Sequence, residues 1–269
     1  MIAKTILITG ATDGIGKQTA LELAQMGHEV IVHGRDKLRG EEITENIRNI
    51  SLNKKVHYLN ADFTNFKQIA DLAEAVKSKF NKLDVLLNNA GVFENDRIIV
   101  ENGLERTFMV NHMAVFALTN NLLPLLKESK ASRIVNVSSM AQAGTMDFDN
   151  LNGEKYFDSY NAYALSKLEN VLFTYKLHRT LKNEGPKVNC LHPGVISTKL
   201  LHAGWGMGGA SLEHGAKTSV FLAVSAEAEN ISGKYFVNSQ ERKSSAISYD
   251  LKIQDRLWEI SEEIMKQNV

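Results

Sequence analysis

Along the chain, short runs rich in β-branched residues alternate with longer stretches in which apolar positions recur every three or four residues. Thr5 to Thr9, Glu29 to His33, Val56 to Asn60, Val85 to Asn88, Arg133 to Val137, Lys187 to Leu191 and Lys234 to Val237 read as strands. Between them, Ile69, Leu72, Ala73 and Val76 fall at i, i+3, i+4 and i+7, as do Leu168, Val171, Leu172 and Tyr175, so each stretch offers one apolar stripe to a sheet. Ile253, Leu257, Ile260 and Ile264 predict a closing helix. The alternation is that of βαβ units, and it predicts an α/β fold with a parallel sheet covered by helices on both faces.

Two segments break the alternation. Residues 140–159 mix Gly, Asp, Asn and aromatics without a period, and residues 199–212 carry HAGWGMGGAS; both are expected as loops over one rim of the sheet. No repeat and no Pro-rich or Gly/Ser-rich linker divides the chain, so residues 1–269 are expected to form one domain.

Charge narrows the partners. With 31 basic and 31 acidic side chains the formal net charge is zero, and no local run of Lys and Arg supplies the footprint that nucleic acid demands. The longest apolar runs, such as Met113 to Leu118 and Val220 to Val224, fall short of the roughly 18 residues that cross a bilayer. The start of the chain leads straight into ILITG without a leader pattern, and the one cysteine, Cys190, fits a reducing compartment. The expectation is a cytoplasmic protein without a membrane anchor. The eight histidines show no paired ligand spacing, so no metal is expected.

The first strand runs into Thr9-Gly10-Ala11-Thr12-Asp13-Gly14-Ile15-Gly16 and then into a helical stretch. Glycines placed so make the tight turn, admit a pyrophosphate to the backbone and let helix and strand pack closely, while the helix start offers free N–H donors. The second strand ends in Gly34-Arg35-Asp36, where folds that bind NAD usually place a carboxylate on the adenosine ribose. Arg35 there favours a 2′-phosphate, hence NADP(H) over NAD(H), although Asp36 could face either way. Asp62, with Phe63 beside it, either accepts from the adenine amino group or caps the next helix. Asn89, Ala90 and Gly91 let the backbone approach a flat ligand.

At the other end, Tyr163 and Lys167 stand four residues apart on one helix face. A cation held close to a phenol favours the phenolate and lowers a pKa that is ordinarily near 10, which would let Tyr163 exchange a proton with a substrate oxygen. Ser138 and Ser139 end the fifth strand at the carboxyl edge where ligands bind, and Asn111 sits in a helix beside the fourth-strand region.

With TGATDGIG, NNAG, VNVSS, YALSK and HPGVIST in this order, the chain resembles the short-chain dehydrogenase/reductase family over nearly its whole length. The resemblance implies a single-domain Rossmann fold with a doubly wound seven-stranded parallel sheet, and a catalytic tetrad at Asn111, Ser139, Tyr163 and Lys167, with Ser138 as the alternative serine. It further implies Tyr163 as acid-base, Ser139 on the substrate oxygen, Lys167 on the nicotinamide ribose, and Asn111 holding a water in a proton relay. Pro193, Gly194, Val195 and Thr198 belong to a segment like the one that contacts the nicotinamide in the family. AYALSKLENVLFTYKL, the long gap before Tyr163 and the late GKYF resemble the retinol dehydrogenase and WW-domain oxidoreductase branch. The expected activity is interconversion of a small-molecule alcohol with an aldehyde or ketone, and family members are commonly dimers or tetramers. A cofactor-sensing scaffold and a sugar-nucleotide epimerase or dehydratase are the competing readings. Trp205 and Met207 form either a lid over an apolar substrate or a mobile surface loop.

Overall fold

The computed structural model describes residues 2–182 and 184–268. Strand β1 (Thr5–Ile8) turns into α1 (Gly14–Gln25), and β2 (Glu29–Gly34), α2 (Lys37–Ser51), β3 (Val56–Asn60) and α3 (Phe66–Lys79) continue the alternation. After β4 (Val85–Asn88), α4 (Arg106–Phe108), a π-helical turn at Met109–Met113 and α5 (Ala114–Glu128) run on as one helix. Then come β5 (Arg133–Val137), α6 (Ser159–Leu181), β6 (Lys187–His192), α7 (Lys199–Trp205), α8 (Leu212–Val224), β7 (Lys234–Val237), β8 (Gln240–Arg242) and α9 (Leu251–Asn268).

The strands form one sheet in the order β3-β2-β1-β4-β5-β6-β7-β8, parallel throughout except for β8, which pairs antiparallel with β7. The chain winds outward from β1 to β3 and returns to place β4 on the other side of β1. The carboxyl ends of β1 and β4 therefore flank a crevice, the usual ligand position in such sheets. Successive strand residues serve opposite faces: Leu7, Ile31, Leu86 and Ile134 join the core under α3, α5 and α6, while Ile6, Ile8, Val30, Val32 and Leu87 join the core under α1 and α8. Burial on both faces explains why these strands are continuously apolar.

All seven expected strands are present, and β8 is an eighth. Its Gln240, Glu241 and Arg242 are exposed and carry no apolar pattern, and the hairpin is made by Asn238 and Ser239, both at positive φ (50° and 59°). A second correction concerns residues 199–212: the first half is helical, because Thr198 caps Leu201 N through its hydroxyl and starts α7, and only the glycines from Gly206 onward form the loop. Residues 140–159 are irregular apart from a 3-10 turn at Phe148–Asn150. A third correction is that Arg106–Glu128 is long and apolar enough to cross a membrane, with 72% of its apolar window buried inside the protein. Asn111, His112 and Asn120 interrupt its apolar runs, so contiguous runs understate a helix whose surface is spent on packing.

Candidate active site

The loop after β1 is held open by its neighbour rather than by itself. Thr9 Oγ1 accepts from the amides of Asn89 and Ala90, both at 3.0 Å, and Asn89 Nδ2 donates back to the carbonyls of Thr9 (2.9 Å) and Gly10 (3.2 Å). Gly10 has φ +63°, and a Cβ there would stand 2.8 Å from the Ala90 Cα. At Gly16 a Cβ would run into Asn89 Nδ2 and the Gly10 carbonyl. Asp13 caps α1 through Gly14 N at 2.8 Å, and its second oxygen accepts from Arg39 and Lys199, each at 2.8 Å. Partial burial pushes this carboxyl up, but the hydrogen bonds from Lys199, Gly14 and Arg39 outweigh it and hold the group below its ordinary range.

His33, which the sequence reading passed over, joins this loop to the end of β3. Its Nε2 lies 3.1 Å from the Ala61 carbonyl and its Nδ1 3.3 Å from the Gly10 amide, and the ring stacks on Phe63 at 4.3 Å. Burial pushes the imidazole down to about 4, against the opposing pull of the Ala61 carbonyl, so the ring is neutral. A neutral ring that accepts from Gly10 at Nδ1 carries its proton on Nε2 and donates it to Ala61. Asp36 is the N-cap of α2, accepting from Arg39 N at 3.1 Å. That use turns it toward the helix and leaves Arg35 and Arg39 lining the cavity. Asp62 Oδ1 accepts from the amide and hydroxyl of Thr64, both at 2.9 Å, whereas the cap of α3 is Asn65; Asp62 is thus a cavity-lining turn residue, not the helix cap.

At the chemical end, the hydroxyl of Ser138 donates to the Lys167 carbonyl at 2.6 Å, so it is committed to holding α6. Ser139 is the hydroxyl beside the Tyr163 phenol. Lys167 Nζ donates to the Val137 carbonyl at 3.1 Å and lies over the Tyr163 ring, 5.4 Å from its centroid. Burial pushes the phenol up to about 12, with the Ser139 hydrogen bond pulling the other way, and burial pushes the ammonium down to about 8. The expectation that Lys167 lowers the tyrosine pKa is therefore corrected: the cation faces the ring and a carbonyl, and desolvation dominates. Asn111 is the one expected residue that does not line the cavity. Its Oδ1 accepts from Val92 N (2.8 Å), and its Nδ2 donates to the Val92 carbonyl (3.0 Å) and to Ser166 Oγ (2.9 Å), which itself donates to the Tyr163 carbonyl (2.7 Å). The carboxamide is committed to these partners and braces the tyrosine's helix from behind; the π-helical turn is what brings it there.

Gly10, Thr12, Asp13, Gly14, Ile15, Gly16, Arg35, Asp62, Phe63, Asn89, Ala90, Gly91, Ser139, Tyr163, Lys167, Pro193, Gly194, Val195 and Thr198 all line one cavity of about 920 Å³. Met140, Tyr160, Leu200, Leu201, Trp205 and Met207 add apolar surface to its wall, which Arg106 and Lys199 also line. Trp205 packs edge-on against Tyr163 (centroids 5.5 Å, 81°) and lies 5.3 Å from Phe93. Phe93, Tyr160 and Arg39 were not foreseen; Arg39 lies in the first turn of α2 while Arg35 precedes its N-cap, so no helical spacing pairs them.

These residues fit a dinucleotide. The glycine floor leaves room that a Cβ at Gly10 or Gly16 would fill, the first-turn amides of Ile15 and Gly16 lack intrahelical acceptors, and cations stand at one end with Tyr163 at the other.

Comparison with known proteins identifies the family. Residues 4–207 match the family model described as short chain dehydrogenase. Mouse retinol dehydrogenase 13 is 41% identical over 272 residues, covering 95% of this chain and 81% of that protein. Human polyprenol dehydrogenase is 36% identical over 273 residues, covering 95% and 83%. Among solved structures, an uncharacterized protein from Mycobacterium paratuberculosis superposes with a TM-score of 0.82 at 30% identity, covering 98% of this chain and 93% of that one.

Proposed function

Because the chain belongs to the short-chain dehydrogenase family, we propose that it interconverts an alcohol with an aldehyde or ketone, using NADP(H) in preference to NAD(H) and Tyr163 as the acid-base group. The observation that carries this reading is the placement of Ser139, Tyr163 and Lys167 in the wall of the cavity whose other end is the glycine loop. A nicotinamide held there would supply or take the hydride. Arg35 and Arg39 would hold a 2′-phosphate, the α1 amides the pyrophosphate, and Asp62 with Phe63 would border the adenine. Ser139 donates to the substrate oxygen. Tyr163, neutral through the physiological range because its pKa is pushed up to about 12, gives its proton to that oxygen as the carbonyl is reduced. Lys167 keeps a positive charge behind the ring, and Asn111 fixes Val92 and α6 so that the phenol cannot drift.

Relatives named for retinol and polyprenol support an apolar alcohol or its carbonyl as substrate, as do Met140, Leu200, Trp205 and Met207 in the cavity wall. The reading also takes the chain as one dinucleotide-binding domain acting in the cytoplasm, supported by one sheet running from β1 to β8 and by the single buried thiol of Cys190. The test is a screen of aldehydes, ketones and alcohols, followed by nicotinamide absorbance with each cofactor. Turnover faster with NADPH is expected. A cofactor that binds by calorimetry but is never turned over would overturn the enzymatic reading in favour of a cofactor-binding scaffold.

A further inference from the structure

Residues 198–209 leave and rejoin the body at one place. Ser197 N donates to the Ala210 carbonyl at 3.0 Å and Ala210 N to the Val195 carbonyl at 2.8 Å, closing the base of the excursion. Within it, α7 has no buried residue, and the glycines at 206, 208 and 209 follow its end. The far end of the helix is Trp205, lying on Tyr163, Phe93 and Tyr160. The near end is Lys199, whose ammonium reaches Asp13 in the phosphate loop at 2.8 Å. Among the described residues this is the only ion pair that the excursion makes, and the same Asp13 oxygen also accepts from Arg39 at 2.8 Å.

We propose that Asp13 and Lys199 are positioning residues that couple recognition of the cofactor's 2′-phosphate to the retention of α7 over Tyr163. One carboxylate oxygen serves two cations. When Arg39 turns to a 2′-phosphate, Asp13 is left to Lys199 alone, and α7 is held more firmly in the position it already has, with Trp205 on the phenol. A cofactor without that phosphate leaves Arg39 on Asp13 and the oxygen shared. The latch thus makes NADP(H) the better cofactor in a second way, by keeping the substrate side covered as well as by binding more tightly. All three side chains are partly exposed, so the effect is modest: exposed pairs shift an equilibrium by about two- to fivefold.

The proposal rests on the cofactor reading above, and the experiment separates the two. Amide hydrogen exchange of residues 199–209 is measured in the wild type, Lys199→Gln and Lys199→Arg, each with saturating NADPH and NADH, with calorimetric titration of both cofactors in parallel. In the wild type and in Lys199→Arg, NADPH should protect the segment about two- to fivefold more than NADH does. In Lys199→Gln the two cofactors should protect it equally, and the KM for the carbonyl with NADPH should rise by the same factor while NADPH affinity changes less. An excess of NADPH protection that survives in Lys199→Gln overturns the latch, as does equal protection by the two cofactors in the wild type. Absence of calorimetric binding by either cofactor overturns the cofactor reading itself, and the latch with it.

Discussion

Ser138 donates its hydroxyl to the Lys167 carbonyl at 2.6 Å, which ties the end of β5 to the middle of α6 and leaves the adjacent Ser139 as the hydroxyl beside Tyr163. The two serines should therefore fail differently. Ser139→Ala should lower kcat by at least about tenfold with little change in Tm, whereas Ser138→Ala loses a buried hydrogen bond, costing about 1 kcal/mol of stability. Steady-state kinetics and thermal melts of both variants check this. The reverse pattern would reassign the serine.

Tyr163→Phe removes only the phenolic oxygen from a side chain already packed against Phe93 and Trp205. Turnover should fall by about 10²- to 10⁴-fold, the usual worth of a positioned acid-base group, while calorimetry shows NADPH binding nearly unchanged. Retained turnover would remove Tyr163 from the mechanism.

Arg35 and Arg39 are exposed and border the cavity where α2 begins. Replacing either by Ala should raise the KM for NADPH by roughly tenfold and leave that for NADH within about twofold, because only a phosphate uses the charge. Equal losses for both cofactors would show that the arginines support the loop rather than read the phosphate.

The pH profile follows from two opposed shifts caused by burial. Tyr163, raised to about 12, stays protonated and able to donate across the neutral range, while Lys167, lowered to about 8, loses its charge above that pH. Carbonyl reduction should therefore hold up to about pH 8 and then decline through lysine deprotonation. Lys167→Met should lack that limb in a plot of kcat/KM against pH.

Four buried histidines, His28, His33, His112 and His192, make the fold acid-sensitive, and burial holds His28 below its ordinary value. Burial lowers His33 and His192 to about 4 and His112 to about 3, from 6.5. Below pH 6.5 the unfolded chain binds protons that the folded one refuses, so stability declines as pH falls toward those lowered values. Tm should drop between pH 6.5 and 4, and the drop should shrink in His192→Asn. A Tm that stays level over that range would contradict the neutral state assigned to these rings.

Much of the fold was legible because its signals are local. Val30, Val32, Leu86 and Ile134 sit in runs that a buried parallel strand requires, and the stripe of Ile69, Leu72, Ala73 and Val76 is the buried face of α3. What escaped had no local signal. Strand β8 is polar and edge-lying, and the contribution of His33 depends on Gly10 and Ala61 arriving from two other segments.

The sequence by itself determined the alternation of strands and helices, the glycine spacing of the phosphate loop and the four-residue interval from Tyr163 to Lys167, since each depends only on neighbours along the chain. The tertiary structure alone decided which serine faces the phenol, that Asp36 serves α2, that Asn111 is committed to Val92 and Ser166, and that Asp13 is shared between Arg39 and Lys199. It also reversed the tyrosine's expected pKa shift. The reason is common to all of these: a polar group's partner, and the water it loses on burial, are set by segments distant in sequence that only folding brings together.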